Sequence, residues 1–335
     1  MHFFNTFPLI SPAAYYACRQ ARVPVVQSLN NPRLICPAGT FYRNGNRCED
    51  CAGKWFPWPA VVHACYRESR PQNATVAAML ATHRTLGTWQ ERVDAYLVAT
   101  EFYRRKFIAA GIPANQLHVS PHFVGPDPGV RTHPGEYALF IGRLAPEKGV
   151  PTLLRAWQRL SGIPLRVRGE GPLTPEVERL AAARGEVQTV PRLPAEEKFR
   201  LIQGARFLIW PSEGYYETFG LVAAEAFACG VPVIASRTGV AEEMVTEGRT
   251  GLFFRAGDAE ELAAKARWAW DHAEELYEMG RAARQEYEAR FTAEQHYRSL
   301  MEIYAAALGA DGQALADPAQ SPRIEKDAIP GSIRP

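Results

Sequence analysis

Residues 213–227 read EGYYETFGLVAAEAF. Two carboxylates, Glu217 and Glu225, stand eight positions apart, and the TFGLVAA between them runs from a turn into a helical pattern. Thr218 is a reasonable N-cap, and Gly220 lets a ligand approach the backbone closely. The amides of Phe219, Gly220 and Leu221 would then point out of a helix start, which is an anion site suited to phosphate. Glu217 would lie just outside that site, with Glu225 roughly 12 Å further along at 1.5 Å per residue. A ligand with hydroxyls on both sides of a diphosphate fits this spacing, and a nucleotide-sugar is such a ligand. An acidic helix start and a solvated helix glutamate would give the same spacing.

Working outward, the segments around this stretch alternate between apolar strands and amphipathic helices. YALFIGR (137–143), LRVRGEG (165–171), VQTV (187–190), FLIWPS (207–212), PVIAS (232–236) and GLFF (251–254) read as strands. Between them, Val150, Leu153, Leu154, Trp157 and Leu160 repeat at helical spacing, and helices are expected at 175–183, 195–204, 239–245 and after Asp258. This order predicts a parallel sheet covered on both faces. Upstream, PVVQSLN, DAYLVAT and LHVSPHFV read as strands, with a loop through the cysteines and helices at 75–83 and 101–111. VGPDPGVRTHPGE (124–136) reads as a linker. The expected organisation is an incomplete N-terminal domain over 1–130 and a second domain over 136–290. A C-terminal helix over 291–308 and a disordered tail over 309–335 follow.

Composition bounds the function. Lys plus Arg number 38 against 36 Asp plus Glu in 335 residues, which gives no global argument for nucleic acid. No apolar run approaches the ~20 residues of a membrane span, and no basic n-region precedes the first apolar residues. The expected location is cytoplasmic. FYRRKF (102–107) carries three consecutive cations that form either a solvated face or a weak contact with anionic lipid.

Other groups carry candidate chemistry. Arg143 and Lys148 follow a strand at the sheet end where open α/β proteins bind ligands, and both could reach a diphosphate; a pair of surface cations is the alternative. RGEGP (168–172) marks a glycine-rich turn. Cys48-x2-Cys51 is a zinc half-site, with Cys36 and Cys65 as candidate third and fourth ligands of a structural zinc; reduced, packed thiols are the alternative. Cys229, in AFACGVP, reads as a buried core thiol. The eight histidines show no metal or triad spacing, so each reads as structural or exposed.

Taken together, YALFIGRLAPEKG, VRGEGP, LIWPSEGYYETFGLVAAEAFACGVPVIAS and GRTGLFFRAGDAEELA resemble the glycosyltransferases of family 4, the retaining group 1 enzymes. These have the GT-B fold, two Rossmann-like α/β domains facing a cleft. The resemblance covers nearly all of 136–270. NTFPLISPAAYYACRQARVPVVQSLNNPRLICPAGTFYRNGNRCEDC and CYRESR resemble one branch of the same family.

The resemblance implies retaining, metal-independent transfer of a sugar from a UDP- or GDP-sugar to a hydroxyl acceptor. That acceptor would be a glycan, a lipid-linked molecule or a small molecule. Arg143 and Lys148 would neutralise the leaving diphosphate, Glu217 would bind the donor sugar and Glu225 the ribose. Gly142, Gly169, Thr218, Phe219, Gly220 and Leu221 would line the donor site. The chain has no Asp-x-Asp, so the two cations take the place of a metal. On the acceptor side, Asn30 in Leu29-Asn30-Asn31 stands where the family has a histidine; it donates a hydrogen bond but does not titrate. The family's opening strand and glycine-rich loop are not found, hence the expectation of an incomplete first domain and of self-association through it. The rival readings are a nucleotide-sugar binder without transferase activity, and a fragment needing a partner chain.

Overall fold

The structure is a computed structural model that describes residues 1–4, 6–7, 10–213 and 217–309. Of the tail expected over 309–335, residues 310–335 lie outside the described residues.

The first half holds β1 (His2–Phe3), β2 (Val26–Ser28), the hairpin β3 (Tyr42–Arg43) and β4 (Asn46–Arg47), β5 (Ala95–Val98) and β6 (Leu117–Val119). Four of these form a parallel sheet in the order β1-β2-β5-β6. Its helices carry their own start signals. The Arg70–Thr85 helix, longer than the 75–83 expected, is capped by Ser69, whose side chain accepts from the Gln72 amide, and has Pro71 in its first turn. A proline there removes only an N–H with no intrahelical partner. Thr100 caps the Glu101–Ala109 helix in the same way.

The second half holds β7 (Tyr137–Ile141), β8 (Leu165–Arg168), β9 (Val187–Val190), β10 (Ala205–Trp210), β11 (Val233–Ser236) and β12 (Gly251–Phe254). They form one parallel sheet in the order β12-β11-β10-β7-β8-β9. The chain builds outward from β7 to β9, then returns to the other side of β7 with β10. The point where the order reverses therefore lies between β7 and β10, and their carboxyl ends open a crevice there. β7 and β10 read as near-continuous apolar runs because helices cover both faces.

The halves are packed together. Val98, Leu117, Val124, Tyr137 and Phe227 belong to one apolar cluster. The 124–136 segment, read as a linker, is a fixed strap. Arg131 is 3% exposed, and its Nη1 donates to the carbonyls of Pro134, Ala205 and Arg206. The Ala293–Ala307 helix returns to the first sheet, where Ile303 packs on Val26, Ala95 and Leu97.

Candidate active site

The crevice between β7 and β10 receives two loops. The β7 loop carries Gly142, Arg143 and Lys148; the β10 loop carries Ser212, Glu213 and Glu217. Gly149 is the tight point. It sits at φ 71°, and a Cβ there would fall 1.8 Å from the Pro211 carbonyl oxygen. Only glycine lets the loops approach this closely. Beyond it, Lys148 Nζ lies 2.5 Å from Glu217 Oε1, and Ser212 Oγ donates to the same oxygen at 2.7 Å. Arg143, more exposed, pairs with Glu147 at 3.3 Å. Glu213 accepts from Thr152 Oγ1 at 3.0 and 3.2 Å, and burial pushes its carboxyl up. Gly214 to Tyr216 lie outside the described residues.

The helix start differs from the expectation. The cap of the Leu221–Ala228 helix is Gly220, not Thr218. Gly220 adopts φ 96°, and a Cβ there would meet the Trp210 ring at 2.3 Å. The aromatic end of β10 therefore fixes where the helix begins. Phe219 turns inward and packs edge-on against Phe291 and His122. The amides free to receive an anion thus belong to the first turn from Leu221, while the Ala223 amide already bonds Gly220 at 2.9 Å. Alanines at 223, 224, 226 and 228 are fully buried and let this helix seat closely behind the sheet.

Glu225 is 8% exposed within that helix. Its partner is Lys198 of the Ala195–Gln203 helix, Nζ to Oε1 2.5 Å. A buried carboxylate without such a partner would cost several kcal/mol. The structure thus gives each of the two glutamates a lysine, Lys148 for Glu217 and Lys198 for Glu225. Sequence reading gave Lys198 no role, and no local signal marks it, because its partner is 27 positions away. It also assigned His122 no more than a structural or exposed place; the ring lies 5.2 Å from Phe219, and burial lowers its pKa.

Gly169, after β8, lies against the Gly142 carbonyl on the other side of β7. Asn30 follows β2 in the first half, with Nδ2 donating to the Phe4 carbonyl at 3.1 Å. It lines a small cavity with Tyr15, Gln27, Arg33 and Trp89.

The four cysteines of the zinc expectation are all described, and their thiols are free. Among the described residues no group of three or more His, Cys, Asp or Glu side chains is placed to hold a metal ion. Cys36 and Cys51 are buried, while Cys48 and Cys65 are half-buried. Cys51 directs its Sγ at the Pro57 carbonyl, 3.9 Å away, and burial pushes its thiol up to about 12. The three cations expected on the Glu101–Ala109 helix each have a protein partner, with Arg105 still exposed. Arg104 bonds Leu117 and Ala114 carbonyls, Arg105 pairs with Glu243, and Lys106 pairs with Glu49 at 2.5 Å. Among the described residues no helix is long and apolar enough to cross a membrane.

Two parallel α/β units, with carboxylates and cations gathered where strand order reverses, define a GT-B glycosyltransferase fold. Solved structures agree. Anabaena Alr3699/HepE in complex with UDP has a TM-score of 0.67 at 18% identity, covering 88% of this chain and 76% of that one. Sucrose-phosphate synthase from Thermosynechococcus elongatus gives 0.64 at 20% identity, covering 90% and 73%. Residues 129–286 match the sequence model of the glycosyl transferases group 1. D-rhamnosyltransferase WbpZ of Pseudomonas aeruginosa is 33% identical over 160 residues, covering 47% of this chain and 42% of the relative. Sulfoquinovosyl transferase SQD2 of Arabidopsis thaliana is 30% identical over 213 residues, covering 58% and 41%. The matched segments thus span about two-fifths of the length of these relatives.

Proposed function

We propose that the chain is a retaining glycosyltransferase that moves a hexose-type sugar from a UDP- or GDP-sugar to a hydroxyl acceptor without a metal. The observation that carries this reading is the Lys148–Glu217 pair, 2.5 Å across the crevice where the strand order of the second sheet reverses. That is where an open α/β sheet takes its ligand. Homology to group 1 glycosyl transferases over 129–286 supports the reaction class.

In this reading the diphosphate lies against the first-turn amides of the Leu221–Ala228 helix, between Arg143 and Lys148. As the bond from the anomeric carbon to the diphosphate oxygen breaks, negative charge grows on the diphosphate. Fixed cations and amides in a crevice stabilise that charge without reorganising. The anomeric carbon bonds the acceptor oxygen, whose proton is released. Glu217, held by Lys148 and Ser212, accepts hydrogen bonds from sugar hydroxyls. Glu225, held by Lys198, accepts them from the ribose. Gly142 and Gly169 let the nucleotide lie close to the backbone, and Asn30 faces the acceptor from the first half.

The test is incubation of the chain with UDP- and GDP-sugars, alone and with sugar, glycan and lipid-linked hydroxyl acceptors. Release of nucleoside diphosphate and a product of unchanged anomeric configuration by NMR are expected. A bound donor should also raise the melting temperature by mass action. Absence of any thermal shift with every nucleoside diphosphate and nucleotide-sugar would overturn the reading.

A further inference from the structure

An open groove of about 550 Å³ lies at the carboxyl ends of β11 and β12, on the side of β10 away from β7. Its charged lining is Arg237 after β11, Arg255 after β12, Lys265 of the Ala259–Asp271 helix, Arg47 of the first half, and the carboxylates Glu247 and Glu261. Four cations thus face two carboxylates, an excess of two positive charges in the lining. Both carboxylates are already occupied. Glu247 accepts from Arg237 at 2.8 Å and from the Phe253 amide at 3.1 Å, with Lys265 at 3.5 Å. Glu261 accepts from the Arg255 amide at 2.8 Å. Asp258, 3.4 Å from Arg255, directs its carboxylate to the amides of Glu260 and Glu261 that open the helix.

Arg47 belongs to β4 of the hairpin, and its cross-strand partner is Tyr42. Directly opposed residues of an antiparallel pair project from the same face. Arg47 lines the groove, while burial and the charges of Glu147 and Glu213 push the Tyr42 phenol up. One face of the hairpin therefore looks onto the second half, from the donor loops at Tyr42 to the groove at Arg47. A second link ties groove to crevice. Ser236, the residue before Arg237, donates through Oγ to the Ser212 carbonyl at 2.5 Å, and the Ser212 hydroxyl in turn holds Glu217. On the donor-site reading above, which this inference rests on, the groove opens beside the end of the crevice that takes the sugar.

We propose that the groove holds an anionic group of the acceptor, a phosphate or carboxylate, and so presents a neighbouring hydroxyl to the donor sugar. A guanidinium is a planar fork of N–H donors that matches either anion. Arg237, stacked 4.4 Å over the Phe253 ring and bonded to Glu247, is the fixed member. Arg47 and Arg255, both exposed, reach the anion from the two halves. A neutral saccharide would leave the excess charge uncompensated and gain only ordinary hydrogen bonds. The acceptor class is thereby narrowed from any hydroxyl compound to an acidic or phosphorylated one.

Calorimetric titration tests this on the full chain saturated with UDP or GDP, so that the donor diphosphate site is filled. The titrants are glucose 6-phosphate, glucuronate, glucose and inorganic phosphate. The tighter of the two charged sugars should bind about tenfold or more better than glucose, and better than inorganic phosphate. Which of the two is tighter identifies the anion. Arg47→Glu and Arg255→Glu should each weaken that ligand about tenfold, and the nucleoside diphosphate far less. Equal affinity for glucose and both charged sugars overturns the inference, as does unchanged affinity in both variants or an equal loss of nucleoside diphosphate. Inorganic phosphate as tight as the sugar phosphate means an adventitious ion only and overturns it too. If neither UDP nor GDP binds, the donor-site reading itself fails and takes the acceptor assignment with it.

Discussion

Among the described residues of 137–254, left-handed backbone positions fall on glycines, Gly149 and Gly220 among them. Among the described residues of 1–68, six such positions are held by Arg22, Phe41, Asn44, Ala64, Arg67 and Glu68, beside Gly39, Gly45 and Gly53. A side chain in that conformation costs about 1–2 kcal/mol. The second half thus meets its tight turns with the residue that bears them at no steric cost. The first half puts side chains in that conformation, one of them, Phe41 at φ 51°, buried to 1% exposure and four, Arg22, Asn44, Arg67 and Glu68, exposed. The difference separates turns relieved by glycine from turns that carry a side chain's strain.

The comparison can be broken at its chemical end first. If the second half is a preassembled donor site, removing one fixed cation should impair turnover and leave the fold intact. Lys148→Ala should lower the rate of nucleoside diphosphate release by about a hundredfold or more, the range for loss of one preorganised donor to a developing anion. Steady-state kinetics and a melting curve on the same preparation check both halves of that statement.

Stability sharpens it next. Gly149→Ala drives a Cβ into the Pro211 carbonyl and should cost about 3 kcal/mol, in the range for strain at a special backbone position. Ala64→Gly makes the reverse exchange in the first half, relieving φ 50°. It should be neutral or stabilise by up to about 1 kcal/mol, since the looser unfolded chain offsets part of the relief. Urea denaturation of both variants decides whether strain is distributed as described.

The smallest effect concerns the thiols. Cys229 is fully buried behind the donor helix, and burial with Glu225 nearby pushes its thiol up to about 12. Cys48, beside the β3–β4 hairpin, is half-buried. Mass spectrometry after brief alkylation at pH 8 should find Cys48 labelled and Cys229 untouched. The reverse pattern would mean that the first half is the better packed.

The same contrast sets how far the sequence could be read. YALFIGR and FLIWPS were legible because central parallel strands are apolar on both faces. Arg143, Lys148 and Glu217 were legible because strand-end loops gather at one edge. The cap was misplaced at Thr218 because the constraint on Gly220 is the Trp210 ring, which is adjacent only in space. Lys198 carried no signal, since its partner Glu225 lies on another helix. The hairpin at Tyr42–Arg47 passed as loop although Asn44-Gly45 is a strong turn signal; its flanks, Arg43 and Asn46-Arg47, lack the apolar alternation that marks a strand.

The account rests on the roles of Glu217 and Glu225, and binding isotherms for their alanine variants test it most directly. Glu225→Ala should weaken a nucleoside diphosphate and its nucleotide-sugar alike, by about 1–3 kcal/mol, the range for hydrogen bonds to a charged group. Glu217→Ala should weaken only the nucleotide-sugar by that amount. It could tighten the bare diphosphate slightly, because a negative charge beside it is gone and Lys148 is released. Equal loss of both ligands in Glu217→Ala would contradict the assignment, as would small and similar changes in both variants.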